Sequence, residues 1–212
     1  MGRWGRVGLG LVVLGVVVGC TPESGGTPSP TPSSVFSREP WVMPGIVGET
    51  VSASPLESDE WVIAMREAEL GEALAFNSAD FSIEPFVSAV TPDYADALYE
   101  FYVRRWVGDE DRVVWPGSRI LLPLEVELVD ENHAIVRFCG ASDYWQDEDA
   151  SRLSKGFIST SEMVRTEDGI RESDVMLTLD RCDATGAPIA RFDPAPRPLG
   201  PLIDADVIPP PA

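Results

Sequence analysis

The first half of the chain carries apolar residues at helical spacing. Between residues 54 and 76 these residues share one broad helical face, and acidic residues lie largely opposite it. The apolar positions are Trp61, Ala64, Met65, Ala68 and Ala75, and the acidic positions are Glu67, Glu69 and Glu72. Ser54-Pro55-Leu56-Glu57 has the form of a capping box with proline at the first helical position. We therefore expect a helix that begins at Ser54 and ends near Phe76.

A second apolar stripe follows a break at residues 77–81 and a short helical turn within residues 82–90. Its members recur at helical spacing and are Tyr94, Leu98, Phe101, Tyr102 and Trp106. Thr91 is the expected N-cap of this helix, and Gly108 is the expected C-cap. We expect the stripe to pack against a sheet. If the interior of the domain is hollow, the same five side chains line an apolar pocket.

The pattern changes to a period of two after the turn-rich residues 115–118. Apolar residues alternate from Leu122 to Leu128, and a turn at residues 130–132 leads into a strand over residues 134–139. A second hairpin over residues 157–164 and 170–179 surrounds the turn Glu167-Asp168-Gly169. Helices followed by a strand meander predict a single α+β domain, with the helices packed on one face of a curved antiparallel sheet.

The first twenty residues have the features of an export signal. Arg3 and Arg6 precede an uncharged run from Val7 to Val18 that is too short to span a membrane. The run ends in Val17-Val18-Gly19-Cys20, which resembles the lipobox of bacterial lipoproteins. The resemblance implies cleavage between Gly19 and Cys20, acylation of the Cys20 thiol, and a lipid anchor at the extracytoplasmic face of the cell membrane. An ordinary cleaved signal or a short uncleaved anchor is the alternative.

Composition divides the rest of the chain. After the signal peptide at residues 1–19, residues 20–34 form a Pro-, Ser- and Thr-rich linker that we expect to be disordered. Residues 35–192 are the expected globular domain, entered through an extended lead-in at residues 35–51 that packs onto it. Residues 193–212 form a proline-rich tail, for which we expect an extended and partly disordered chain.

The chain is strongly acidic. Its formal net charge is −19, and without Arg3 and Arg6 it holds 14 basic and 35 acidic residues, a net charge of −21. This balance argues against nucleic acid and anionic lipid partners, because both are bound by clustered Lys and Arg. Of the basic residues 15 are Arg, a bias that is typical of GC-rich coding and suggests an actinobacterial source.

Three cysteines are present. If Cys20 is acylated, Cys139 and Cys182 remain as an even pair in an oxidising compartment, where disulfides persist. We expect them to form a disulfide, with two buried free thiols as the alternative. Neither lies in a Cys-x-x-Cys pair, which disfavours a redox or metal role.

The order of helices and strands resembles the nuclear transport factor 2-like superfamily, the cone fold shared by ketosteroid isomerases and polyketide cyclases. Actinobacterial lipoproteins that look similar carry one cysteine in an early strand, as Cys139 does here. Their second cysteine lies in a Cys-Asp-Ala-Thr-Gly-like segment, as in Cys182 to Gly186. Enzymes of this fold place a carboxylate base inside the cone, but no acid of this chain aligns with it.

Other candidate chemistry is sparse. His133 is the only histidine and is expected at the surface of a hairpin turn. No Gly-x-Ser-x-Gly elbow occurs, and the acids of residues 143–149 lack calcium-loop spacing, so we assign no metal, cofactor or catalytic residue.

We therefore expect an envelope lipoprotein whose domain binds a protein partner or an apolar small molecule, with no acid in the cone. An isomerase- or cyclase-like enzyme, recognisable by a buried acid of raised pKa beside a cavity, is one alternative. A solute-capture lipoprotein for a transporter is the other.

Overall fold

The structure is a computed structural model that describes residues 42–109, 112–141, 155–197 and 199–212. Helices in these ranges are α1 (Glu60–Ser78), α2 (Glu84–Val87) and α3 (Pro92–Trp106), with 3₁₀ turns at Pro55–Ser58 and Asp204–Asp206. The strands are β1 (Gly45–Gly48), β2 (Leu121–Leu128), β3 (His133–Ala141), β4 (Lys155–Thr166), β5 (Gly169–Asp183) and β6 (Ala190–Asp193). Every helix in the described part of the chain is too short or too polar to span a lipid bilayer.

The predicted α+β class and its antiparallel meander are confirmed. β2, β3, β4 and β5 form one curved sheet in chain order, and β1 pairs with β6 in a separate two-stranded sheet. Both predicted hairpins are present, although β4 and β5 extend beyond the predicted strands. The ladder shifts register in β2 and twice between β4 and β5, and such bulges bend a sheet and increase its twist.

α1 is the central element of the domain, because it is buried on most of its circumference. Trp61, Val62 and Met65 pack against the sheet residues Val136 and Phe138. Towards its other end, α1 packs in the core cluster that contains α2 and α3. A methyl group on Gly71 would lie 2.4 Å from the carbonyl oxygen of Pro85, so glycine permits the close approach of α2.

The predicted start of α1 is wrong by one turn. Ser54 caps only the 3₁₀ turn, where its hydroxyl accepts a 3.3 Å hydrogen bond from the amide of Leu56. The side chain of Glu57 does not return to Ser54 but accepts hydrogen bonds from Ser52 and Arg66. The helix begins after Asp59, whose carboxylate accepts a 2.9 Å hydrogen bond from the amide of Trp61.

α3 forms at the predicted position, although the Thr91 side chain makes no capping hydrogen bond and the C-cap is Val107 rather than Gly108. The apolar stripe of α3 does not cover the sheet. Tyr102 is fully buried and makes edge-to-face contacts with Phe76 and Phe81, with ring centroids 5.2 Å apart in each pair. Phe101 is 50% exposed. Because α1 already covers Val136 and Phe138, α3 packs in a second layer around the aromatic cluster instead.

The C-terminal tail is more ordered than the sequence predicts. Within the proline-rich tail, Leu202 and Val207 are buried in the same core as α3. The amide of Phe81 donates to the carbonyl of Ile208 at 2.9 Å, and the amide of Ile208 donates to Ala79 at 3.0 Å. The expectation of a partly disordered tail is therefore wrong for these residues. In the lead-in, β1 pairs with β6 through its backbone while its side chains stay exposed.

Cys139 and Cys182 form the predicted disulfide, which excludes the alternative of two free thiols. The bond joins β3 to β5 across β4, where Gly156 leaves space for it. A methyl group at Gly156 would lie 2.8 Å from the sulfur of Cys139. The cysteines are 43 residues apart, and closing a loop of that length restricts the unfolded chain by about 4 kcal/mol in the chain-entropy model.

Candidate functional site

Three glutamates lie in the interior of the domain, where the sequence predicts none. Glu69 and Glu72 are one turn apart on α1, and Glu172 is the only buried residue of β5. Their exposed fractions are 1%, 4% and 0%. Backbone hydrogen bonds between Glu172 and residues 89 and 91, which connect α2 to α3, hold this part of β5 against the helices. The expectation that no acid lies in the interior is therefore wrong.

Arg119 supplies the positive charge of this cluster. It precedes β2, and its Nη1 lies 3.1 Å from Oε1 of Glu69 while its Nη2 lies 3.7 Å from Oε1 of Glu72. The guanidinium also lies 5.6 Å from the ring centroid of Trp115. Glu172 has a different partner, since its Oε1 accepts a hydrogen bond from the hydroxyl of Ser161. One guanidinium is thus shared by two carboxyl groups, and a third lies nearby.

Several oxygens of these carboxyl groups lack hydrogen-bond donors. Within the described residues, neither oxygen of Glu69 accepts a well-aligned hydrogen bond, and the Oε2 atoms of Glu72 and Glu172 also accept none. A buried carboxylate without donors costs considerable free energy, so such groups shift towards their protonated forms.

The pKa values follow from this burial. Desolvation raises the pKa of Glu69 to about 7, and the negative charge of Glu72 adds to the effect while Arg119 opposes it. Burial also raises the pKa of Glu72, again against Arg119. The pKa of Glu172 lies well above its ordinary value because of burial and the charge of Glu69. On α3, burial and the nearby carboxylates raise the pKa of Tyr94.

An open cavity of about 220 Å³ adjoins this cluster, between α1, the start of β2 and the segment around β1. Its walls are largely apolar and include Ile46, Val51, Ile63, Leu70 and Leu121. Glu69, Arg66 and Arg119 also contribute to the walls. Arg66 is held by Glu57 through its Nε at 2.6 Å, whereas the side chain of Arg119 is 19% exposed. A shallower groove of about 650 Å³ lies across the Ile63–Leu70 ridge of α1, with Glu60, Glu84 and Arg165 among its lining residues.

The predicted pocket-lining residues lie elsewhere. Tyr94, Leu98, Tyr102 and Trp106 belong to the aromatic core or pack against it, Phe101 is half-exposed, and neither cavity described above is lined by any of them. His133 is exposed, as expected, with its Nδ1 3.2 Å from the carboxylate of Asp130. Gly19, Cys20 and the acidic segment 143–149 lie outside the described residues. In the part of the chain that the structure describes, no three His, Cys, Asp or Glu residues are arranged to hold a metal ion.

The sequence contained one signal for the buried acids. Small residues surround α1 on several sides, including Ala68, Gly71, Ala73 and Ala75, and a helix with small or apolar residues all round is buried all round. The acidic face predicted for α1 is therefore only partly exposed to solvent. Glu67 is exposed as predicted, whereas Glu69 and Glu72 are not.

No family model, curated protein or solved structure matches this chain. The resemblances to the cone-fold superfamily and to bacterial lipoproteins therefore stay predictions.

The raised pKa of Glu69 predicts a stability that falls as the pH rises. Below about pH 4.5 the carboxyl is protonated in both the folded and the unfolded chain, so burial carries no ionisation cost. Between there and about pH 7 the unfolded chain ionises first, and the free energy of unfolding should fall by about 3 kcal/mol for Glu69 alone. Glu69→Gln should reduce the dependence of the free energy of unfolding on pH, and Glu72 and Glu172 should account for the dependence that remains. Urea unfolding at about pH 5 and about pH 8 measures the change in the free energy of unfolding.

Glu127→Gln is the matched control, since Glu127 is exposed on β2 and its replacement removes the same charge. This variant should leave the dependence of the free energy of unfolding on pH unchanged. Equal slopes in wild type and Glu69→Gln would show that Glu69 ionises normally.

Proposed function

We propose that this chain is a cell-envelope lipoprotein, anchored through acylated Cys20, whose domain binds a small molecule with an apolar body. Three observations support the proposal. The N-terminal sequence has the order of an export signal and lipobox. The domain holds a disulfide, which is typical of proteins outside the reducing cytosol. The third is the cavity beside α1.

The cavity carries most of the argument for binding. Aliphatic side chains from α1, β2 and the β1 segment converge on it, and a buried ion pair lies in its wall. An apolar concavity with a few oriented polar groups is the usual form of a small-molecule site. Its volume of about 220 Å³ is below that of most drug-sized sites, so it fits a small ligand or the end of a longer one. A side chain of a protein partner, or a solute captured for a transporter, would enter the same cavity.

Loss of the anchor cysteine tests the lipoprotein proposal. Cys20→Ser should leave an unprocessed precursor that no longer incorporates a fatty-acid analogue, because the thiol that receives the lipid is gone. Immunoblotting and analogue labelling of membrane fractions measure this. Cys139→Ser with Cys182→Ser is the control, since it removes the two other cysteines, which form the disulfide, and should leave lipidation intact. Normal processing of Cys20→Ser would contradict the proposal.

Filling the cavity tests the binding proposal. Ile63→Trp places a larger side chain at the exposed mouth of the cavity. It should weaken binding of the neutral fluorescent probe N-phenyl-1-naphthylamine by about tenfold or more, since a steric clash removes apolar contacts. Fluorescence titration, with n-hexanol as competitor, measures the change. Leu179→Trp is the control, because Leu179 is 89% exposed on β5. The same affinity in both variants would place the probe outside the cavity.

A second candidate function is acid–base catalysis of the isomerase or cyclase kind. It is favoured by one observation, namely that Glu69 lies in a cavity wall and has a pKa of about 7. A carboxyl group with that pKa exchanges protons readily near neutral pH. Glu69→Gln should then lower turnover of ketosteroid or polyketide substrates by about a hundredfold or more, and Glu127→Gln should not. Equal turnover in both variants would remove Glu69 as the base.

A further inference from the structure

The charge of the buried cluster is unbalanced. Three carboxyl groups, those of Glu69, Glu72 and Glu172, face one guanidinium, that of Arg119. Arg66 also acts on Glu69, but Glu57 engages it directly through two contacts. Tyr94 of α3 also faces the cluster, and its interaction with the carboxylates adds no positive charge. Glu67, an exposed residue of α1, lines the same cavity as Glu69 and adds a further acidic group there. When its carboxyl groups are ionised, the described cluster is therefore short of both positive charge and hydrogen-bond donors.

Glu69 is the member of this cluster that reaches a cavity. It is 1% exposed, neither of its oxygens accepts a well-aligned hydrogen bond from the described residues, and it forms part of the cavity wall. Beside it, Ile63, Leu70 and Leu121 make that wall apolar. A molecule in the cavity can thus bury an apolar body while it presents a polar group to Glu69 and to the mostly buried Arg119.

We propose that the cavity selects a ligand with a protonated primary amine on an apolar body, and that the ammonium group pairs with Glu69. The inference rests on the proposed binding function and names the class of ligand. An ammonium group brings one positive charge and three donors, and the cluster oxygens that accept no hydrogen bond lack such donors. A carboxylate ligand would instead add a negative charge close to three carboxyl groups, and a neutral alcohol would supply one donor and no charge.

Pairing involves a proton as well as a ligand. When Glu69 is protonated, the incoming ammonium group displaces its proton to solvent, and the carboxylate then pairs with the ammonium. Binding should therefore tighten as the pH rises through about 7, the pKa of Glu69, and weaken only when the amine itself loses its proton near pH 10. Glu72 and Glu172 respond to the same added charge, because their carboxyl groups interact with Glu69.

The test compares three probes of equal chain length, n-hexylamine, n-hexanol and n-hexanoate. Each is titrated calorimetrically into the chain without its signal peptide, residues 20–212, at about pH 8. We expect the amine to bind about tenfold or more tightly than the alcohol, as charge-assisted hydrogen bonds are the stronger ones, and the hexanoate to bind least. In Glu69→Gln the amine should lose this advantage, while n-hexanol still binds and so shows that the cavity is intact. Glu127→Gln should keep the preference.

The outcomes separate this inference from the function on which it rests. Preference for hexanoate would overturn it in favour of an anion held by Arg119. Equal affinity for all three probes, with binding blocked by Ile63→Trp, would overturn the amine preference and leave the binding function standing. An amine preference that survives in Glu69→Gln would remove Glu69 from recognition. Failure of every probe to bind would contradict the binding function itself.

Discussion

The burial of α1 between the sheet and the second helical layer determines most of what is unusual in this domain. A helix enclosed on both long sides cannot direct all of its acidic residues to water, and Glu69 and Glu72 become interior groups. Removing an ion from water costs several kcal/mol even after relaxation, and a partner charge recovers only part of that. Arg119 offsets part of this desolvation cost for two carboxyl groups at once, because its Nη atoms lie 3.1 Å from Oε1 of Glu69 and 3.7 Å from Oε1 of Glu72. Such an arrangement is an expensive way to stabilise a core, which favours a role in binding or proton exchange.

Local patterns predicted the elements well. Alternation and turn residues identified both hairpins, and the aromatic stripe with its flanking Thr91 and Gly108 identified α3. The even pair of cysteines left in an oxidising compartment predicted the disulfide between Cys139 and Cys182. Each of these depends on residues close in sequence or on chemistry that is independent of the fold, so the sequence contained the necessary information.

Long-range packing was beyond these patterns. Helical periodicity shows that α3 has an apolar face, but it does not show whether the sheet or another helix covers it. The sheet was already covered by Trp61, Val62 and Met65 of α1, and the stripe therefore packs on Phe76 and Phe81. The sequence did not predict the buried glutamate cluster for the same reason. Glu172 enters the cluster through a strand more than a hundred residues from Glu69, and the sequence of that strand alone does not indicate that Glu172 is buried.

Arg119 links the cavity to the cluster behind it. Its side chain is partly exposed at the cavity while its guanidinium contacts Glu69 and Glu72, so a ligand that draws it away leaves both carboxyl groups without their nearest cation. Their pKa values would then rise further, and protons would be taken up. A cation beside Glu69 has the opposite effect, because it lowers these pKa values and releases a proton. Since linkage is reciprocal, the pH must in turn control the affinity for either kind of ligand. The sign of the proton change on binding therefore reports which charged group the ligand engages.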